Sequence, residues 1–580
     1  MKRINHRSAV ILVSLSFAVG LIVFMFLFQQ SQKKISLYDV AEDLTIDTWT
    51  LEDSALNGMP LKENKVIYQS DPDGGVDAIY LTVFPTDTPE GQIDFSIFDY
   101  HQAFAQDFNP TLDANVVISA NDGALSPLID TDLVNANIRV RGNSARGASV
   151  KSFRVELLDQ KDSLQGLRIL NLNKHVYDTS KIANKFSMDM MEKLDNFASL
   201  RTRFVHLYLR DAMADNSQVY LDYGLYTLVE QPNKTYLESH GLDPDGTVYK
   251  AESFEFRVYD TLKNVDHPDY DEASFETVLG IREAKDHSKL LEMIEHINNL
   301  NEDFTSIFPL YFNEENYLTW MGTNILLGNG DTIDHNFMLY SPSNSLTWYF
   351  LPWDYDGTFH FGAYTSNYQV PASLRGFQQY TGVLLHRRYF LDQSHVDKLT
   401  QKIESLRETI FTEDRIMNQL EPYRPILNQF MVRPPDLGLL DFPPNELNSY
   451  LDQFPGEIEK NYQLYKKSLE YPLPVFTAEP QRSGQGYRFS WESSRDLQQN
   501  TLKYRLILAK DPDLEQVILD SMTIAEPYFD SIHPIEAGTY YMAVTVIDSA
   551  GNTQISLDSY KDPNRGNVHY GVRQVQLGGQ

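Results

Sequence analysis

The chain has 580 residues, 42% hydrophobic and 12% aromatic, and its 80 acidic against 49 basic residues give a formal net charge of −31. This supports large cores and roughly three to four domains, and it argues against a nucleic-acid partner, because no basic surplus exists to release counterions from phosphates. The chain contains no cysteine, which excludes disulfides, thiolate zinc sites, iron–sulfur clusters and cysteine nucleophiles.

Residues 9–28, AVILVSLSFAVGLIVFMFLF, carry no charge. As a helix this run would measure ~30 Å, the thickness of a bilayer core. Lys2, Arg3 and Arg7 precede it and favour a cytoplasmic N-terminus, although Lys33 and Lys34 follow. A cleaved signal peptide is the alternative, but the run exceeds a usual apolar region and no A-x-A site follows. The expectation is a single-pass membrane protein: residues 1–34 hold the cytoplasmic end and anchor. Residues 35–75 form a stalk or wrapping segment, and the bulk lies outside the cytoplasm, at the cell surface or in the periplasm.

Strand patterns begin at 78–85. In NANIRVRG (135–142), Ala136, Ile138 and Val140 alternate with Asn137, Arg139 and Arg141. KSFRVEL (151–157) alternates likewise, so the two read as a hairpin joined by NSARGASV. A helix is predicted over 178–194, then strands over 203–211 and 220–231. From about residue 285 the spacing turns helical, over 287–301, 313–330, 394–411 and 448–470. The predicted fold class is α+β, with a β-rich half preceding a mainly helical half over 76–470. Residues 474–580 read as some seven short strands, a β-sandwich of fibronectin-III or immunoglobulin-like type, with Trp491 in its core and Tyr540 or Tyr541 at a corner.

The stretch GNGDTIDHNFMLYSPSNSLTWYFLPWDYDGTFHFG (328–362) concentrates carboxylates beside aromatic residues. Gly328 and Gly330 end a helix. FMLY (337–340) and LTWYFL (346–351) read as antiparallel strands, which lie ~4.8 Å apart. Asn336 stands just before the first and Asp354 just after the second, so the hairpin delivers both to one place, with Asp331 on the loop beside them. Such oxygen donors suit a hard cation that takes its remaining ligands from phosphates. An Asp, an Asn five residues on, a hairpin and a second Asp is the order of parts in protein kinases. The usual kinase letters are absent, and DYD stands where Asp-Phe-Gly would be.

At these residues the chain resembles the CotH-type kinases, named for spore coat protein H. RVRGNSARGASVKSFRVEL (139–157), LRTRFVHLYLRD with YGLYTLVEQPNKTYL (200–237), TVYKAE (247–252) and the two hairpin blocks are similar to that family's blocks, in order, over roughly 130–365. Gly330 where a bulkier residue is expected, the extra acid Asp334, and SARG depart from the pattern. The terminal sandwich is outside the resemblance. The resemblance implies a divergent, two-lobed kinase-like fold that transfers the ATP γ-phosphoryl group to Ser or Thr of a protein, with Mg²⁺ or Mn²⁺. It implies Asp331 as the residue positioning the acceptor hydroxyl, and Asn336 and Asp354 as metal ligands, with Asp356 sharing the metal or supporting the loop. Lys151 is the expected phosphate cation. Arg141, Gly142, Asn143, Ser144 and Arg146 belong to the loop expected over the phosphates, where Gly142 and Gly147 permit close approach. Glu230 sits where a connector between lobes would begin. His206, His335 and His360 show no metal-ligand spacing and read as structural.

A chain of charge −31 would suit a basic protein acceptor. Two other readings stay open. One is an inactive kinase-fold adhesion or scaffold protein at a surface where ATP is scarce. The other is a carbohydrate-active enzyme using Asp331 and Asp354 as paired carboxylates.

Overall fold

The computed structural model describes residues 58–578, apart from 71–73, 90, 101–107, 159–165, 215–218 and 360–369. The predicted anchor at 9–28 and His360 lie outside the described residues. Among the described residues, no helix is long and apolar enough to cross a membrane.

Residues 77–229 build a closed barrel. Its strands are β1 (Asp77–Val83), β4 (Leu112–Ser119), β5 (Ala136–Arg141), β6 (Ser152–Leu157), β7 (Ile169–Asn173), β8 (Thr202–Asp211) and β9 (Leu221–Val229). A small hairpin of β2 (Thr86–Thr88) and β3 (Gly91–Ile93) follows β1. The barrel order is β1-β4-β5-β6-β7-β9-β8, closed by parallel pairing of β1 with β8, Ile79 opposite Leu207. The period-two pattern explains the inside: Ile138, Val140, Phe153 and Val155 are buried, while Arg139 between them is exposed.

A second sheet follows, in the order β11-β10-β12-β13, from β10 (Thr247–Ala251), β11 (Leu279–Glu283), β12 (Phe337–Ser341) and β13 (Tyr349–Pro352). Against it packs the helix Glu314–Leu327, capped by Asn313 and ended by Gly328 at φ 64°. Trp320 of this helix stacks on Phe350 of β13 with ring centroids 4.5 Å apart. The helices Gln393–Thr409 and Phe454–Ser468 cover its other side. The helix predicted over 448–470 is two, Leu447–Leu451 and Phe454–Ser468, because Pro455 suits only a first turn.

Two contacts tie distant segments together. Residues 58–70 of the 35–75 stretch pack against this body: Leu61 is buried, and Asn313 Nδ2 donates to the carbonyls of Gly58 and Met59 at 2.7 and 3.1 Å. Beneath the barrel, Lys174 Nζ donates to Asp436 Oδ1 at 2.6 Å, both side chains being at most 2% exposed. Asp436 also accepts from Leu225 N at 2.8 Å, and a Cβ on Gly224 (φ 78°) would collide with its carboxylate.

The C-terminal region has two sheets around one core. One holds β14 (Gln481–Ser483), β15 (Gly486–Ser490) and β18 (Tyr528–Asp530). The other holds β16 (Leu502–Ala509), β17 (Val517–Ile524), β19 (Gly538–Asp548), β20 (Thr553–Ile555) and β23 (Val572–Leu577). β21 (Ser559–Lys561) and β22 (Val568–Tyr570) form a small hairpin. Trp491, Leu506, Val544 and Val575 share the core. Tyr540, buried, donates its hydroxyl to Glu536 O at 3.0 Å.

Candidate functional site

The hairpin sets the site. Phe337 pairs with Pro352, so Asn336 enters the first strand where Trp353 and Asp354 leave the second. Asn336 N donates to Ala251 O at 3.2 Å, which pins the loop to the neighbouring strand. Asn336 and Asp354 both have left-handed backbones, at φ 55° and 58°. Such strain at two non-glycine residues persists only where the surroundings impose it, and it is common at functional sites. For Asp354 the surroundings are a helix, Ala183–Met191: Tyr355 N donates to Asn184 Oδ1 at 2.8 Å, and Ser187 Oγ lies 3.2 Å from Thr358 Oγ1.

Asp331 lies on the loop after the helix Glu314–Leu327. Its N–H donates to Asn329 Oδ1 at 3.2 Å, and Asn329 is itself buried. The turn carrying Asp354 comes close enough that a Cβ on Gly357 would lie 2.9 Å from Asp331 Cβ. Asn336 Nδ2 donates to Asp331 Oδ2 at 2.7 Å. A carboxylate only accepts, so this contact fixes the amide's orientation and leaves Asn336 Oδ1 as an acceptor for another ligand. Asp331, Asn336 and the Asp354 turn are therefore brought together as the spacing predicts.

His335, expected to be structural, lies directly beside Asp331. Its Nε2 lies 3.0 Å from Asp331 Oδ1 and its Nδ1 2.7 Å from Asp334 Oδ1. Hydrogen bonds to Asp331 and then Asp334 hold the imidazolium pKa up at about 10. The signal was present as acids one and four residues before a histidine. His206 bridges Asp122 and Asp222 on the barrel, 2.8 Å from each.

Arg141 also joins the site. It lies 5.7 Å from the Trp353 ring centroid. Burial lowers its pKa, and the charges of Asp354 and then Asp356 oppose that. Asp356 is pushed up to about 6 by burial and by the Asp354 charge, against a 3.4 Å contact with His175 Nδ1. Among the described residues, no hydrogen bond or ion pair engages the Asp354 carboxylate.

Other predicted residues take different places. Lys151 is buried, and its ammonium donates to Arg146 O and Ala148 O, both at 2.8 Å, so it clamps its own loop. Arg146 likewise turns inward, its Nε donating to Gly142 O at 2.8 Å. Gly142, Asn143 and Ser144 form the turn between β5 and β6, and Ser144 O accepts from Tyr177 OH at 3.2 Å. The Glu230 side chain is spent on structure: its Oε2 lies 2.8 Å from His240 Nε2 and accepts from Arg201 N at 3.1 Å.

For a cation the donor set is short. Among the described residues, no three His, Asp or Glu side chains are grouped to hold a metal. Two hard oxygen donors, Asn336 Oδ1 and Asp354, fit an ion that draws its other ligands from phosphates and water, as Mg²⁺ does.

A barrel whose arginine- and glycine-bearing turn meets a hairpin carrying Asp, Asn and Asp defines the class to which the comparisons point. The chain belongs to the CotH kinase family: the model described as "CotH kinase protein" matches residues 138–438, from β5 through the Asp436 segment. Inner spore coat protein H of Bacillus subtilis (strain 168) is 25% identical over 325 residues, covering 55% of this chain and 84% of that protein.

Proposed function

We propose that the chain is a CotH-like protein kinase that transfers the γ-phosphoryl group of ATP to a Ser or Thr hydroxyl of a protein. The observation that carries this reading is the 2.7 Å contact of Asn336 with Asp331, made on the hairpin that also presents Asp354. Asp331 would orient the acceptor hydroxyl and receive its proton. Its two oxygens accept from His335 and Asn336, which fixes the carboxylate plane, so orientation is its main contribution. Asn336 and Asp354 would hold Mg²⁺ or Mn²⁺, which when bound neutralises phosphate charge. Arg141 would stabilise negative charge beside Asp354, and the turn of Gly142, Asn143 and Ser144 would lie over the phosphates. The connector after Glu230 would contact the base through its backbone. The acceptor is proposed to be a basic protein. The apolar run at 9–28, together with a relative named as a spore coat protein, supports a membrane-anchored place outside the cytoplasm.

Calorimetric titration of the full-length chain with ATP and Mg²⁺ or Mn²⁺, beside Asp354→Ala, tests the reading. Metal-dependent binding lost in the variant is expected, followed by loss of phosphotransfer in Asp331→Ala. A second reading, a family member serving as a surface scaffold without activity, is favoured by Lys151, whose ammonium faces loop carbonyls. A folded chain that binds no nucleotide would establish it.

A further inference from the structure

The C-terminal sandwich is joined to the helical half by more than its linker. Leu473 and Leu497, at its near end, lie in the same buried core as Trp320 and Phe350. On β20, Gln554 is fully buried and donates from Nε2 to Ser373 O at 2.7 Å. Arg387 Nη1 donates to Thr381 O and Pro474 O, at 3.3 and 3.1 Å, and its Nη2 pairs with Glu492 at 2.6 Å. These contacts converge on residues 370–382, downstream of the turn that carries Asp354.

The helix Phe454–Ser468 holds the same stretch from another side. Gly376, at φ 62°, leaves no room for a Cβ, which would lie 2.9 Å from Ser468 Oγ and 3.1 Å from Tyr465 Cα. Phe377 N donates to Ser468 Oγ at 3.0 Å, and Gln378 Nε2 to Ser468 O at 2.9 Å. The 3₁₀ turn Gly376–Gly382, fixed in this way, sends Tyr380 under the loop of Asp331. Its hydroxyl donates to Asn329 O at 3.4 Å, and its ring meets Trp320 edge-on, with centroids 6.3 Å apart. Asn329 is the residue whose Oδ1 accepts from Asp331 N. Thr332, on the other side of Asp331, donates from Oγ1 to the same Asn329 carbonyl at 3.3 Å. Asn329, Thr332 and Tyr380 are all fully buried. Burial pushes the phenol up to about 12, so it keeps its proton and can donate at neutral pH. No water stands by to replace a lost partner in such a place, so a displacement of 370–382 is felt at the backbone of Asp331.

We propose that Tyr380 is a positioning residue for Asp331, and that the sandwich keeps it in place by holding residues 370–382 through Gln554 and Arg387. The sandwich is then a working part of the site, although it lies outside the residues 138–438 that match the family. The proposal rests on the kinase reading for the reaction, though not for the coupling.

Amide hydrogen exchange of the full-length, ligand-free chain tests the coupling, beside Tyr380→Phe and Gln554→Ala. The first variant removes a hydroxyl and keeps the ring, so it leaves the interface itself intact. Amides of 329–336 should exchange about tenfold faster in each variant, while the barrel strands keep the parent rate. In phosphotransfer, kcat should fall about tenfold with the Mg·ATP dissociation constant unchanged, because Asn336 and Asp354 are untouched. A merely structural role would instead speed exchange throughout the chain and lower activity only in proportion to the folded fraction. Parent-like exchange at 329–336 in both variants, or faster exchange spread evenly over the chain, overturns the proposal. If exchange at 329–336 rises as expected but the parent transfers no phosphate from Mg·ATP, the coupling stands and the kinase reading falls. If Asp354→Ala abolishes transfer while Tyr380→Phe and Gln554→Ala match the parent kcat, the kinase reading stands and the positioning role falls.

Discussion

Behind the barrel, His240 sits between Glu63 and Glu230, at 2.6 and 2.8 Å, with all three side chains at most 3% exposed. On the hairpin, His335 sits between Asp331 and Asp334, at 3.0 and 2.7 Å, with side chains 31–38% exposed. The parts are the same, an imidazole and two carboxylates, but the finish differs. The first cluster is sealed: Glu63 also accepts from Tyr68 and Ser199 N, and Glu230 from Arg201 N. It fastens residues 58–70 to the strand ends of the barrel. The second stands beside two left-handed residues and an Asp354 carboxylate that, among the described residues, makes no hydrogen bond or ion pair. A sealed cluster contributes stability, whereas an open one retains room for a ligand. The contrast also explains how two sites of equal composition can differ in what a substitution does to them.

The sharpest separation should come from Asp354→Ala. Loss of about a thousandfold or more in phosphotransfer is expected, as for removal of a main electrostatic group, with an unchanged melting temperature in the absence of ligand. A variant that instead unfolds would break the comparison. In the sealed cluster, His240→Gln removes the cation shared by two buried carboxylates and should cost about 3–5 kcal/mol in denaturant unfolding. Any activity that survives should be normal per folded molecule.

The same cluster gives a pH dependence. Burial disfavours the charged imidazole, yet the charges and hydrogen bonds of Glu230 and Glu63 outweigh it and raise His240 to about 9 from its ordinary 6.5. The folded state therefore holds this proton more tightly than the unfolded chain. The stabilisation is complete below about pH 6.5 and is lost as pH rises through about 9, on the order of 3 kcal/mol in all. Unfolding midpoints measured from pH 6 to 10 should fall in the parent, and this component should vanish in His240→Gln. The smallest expected effect is Gly357→Ala. Its Cβ would press on Asp331 Cβ, so phosphotransfer should drop about tenfold to a hundredfold, with stability changed by about 1 kcal/mol or less.

The hairpin was legible because its signals are local. Two short apolar runs, a polar turn and the flanking Asn336 and Asp354 lie within twenty residues. Strands β5, β6, β8 and β9 were legible for the same reason. Closure of the barrel was not, since it depends on parallel pairing of Asp77–Val83 with Val205–Asp211, which no local pattern encodes. The end of the Lys151 side chain was not legible, because alternation tells which face of a strand a residue occupies but not where a flexible four-carbon arm ends; here it ends on loop carbonyls. Glu230 directly follows β9, but its partner Glu63 is 167 positions away, and only the fold joins them through His240.

Lys174 and Asp436 are separated by 262 positions. During synthesis the barrel strands through β9 emerge first, with the Lys174 ammonium held by the carbonyls of Tyr223 and Leu225 and without its ion-pair partner until residue 436 arrives. A chain cut short before that point would lack the carboxylate that neutralises this ammonium. Barrel and helical half should therefore mature together, late in translation, and intermediates stalled before residue 436 should be the ones most readily degraded.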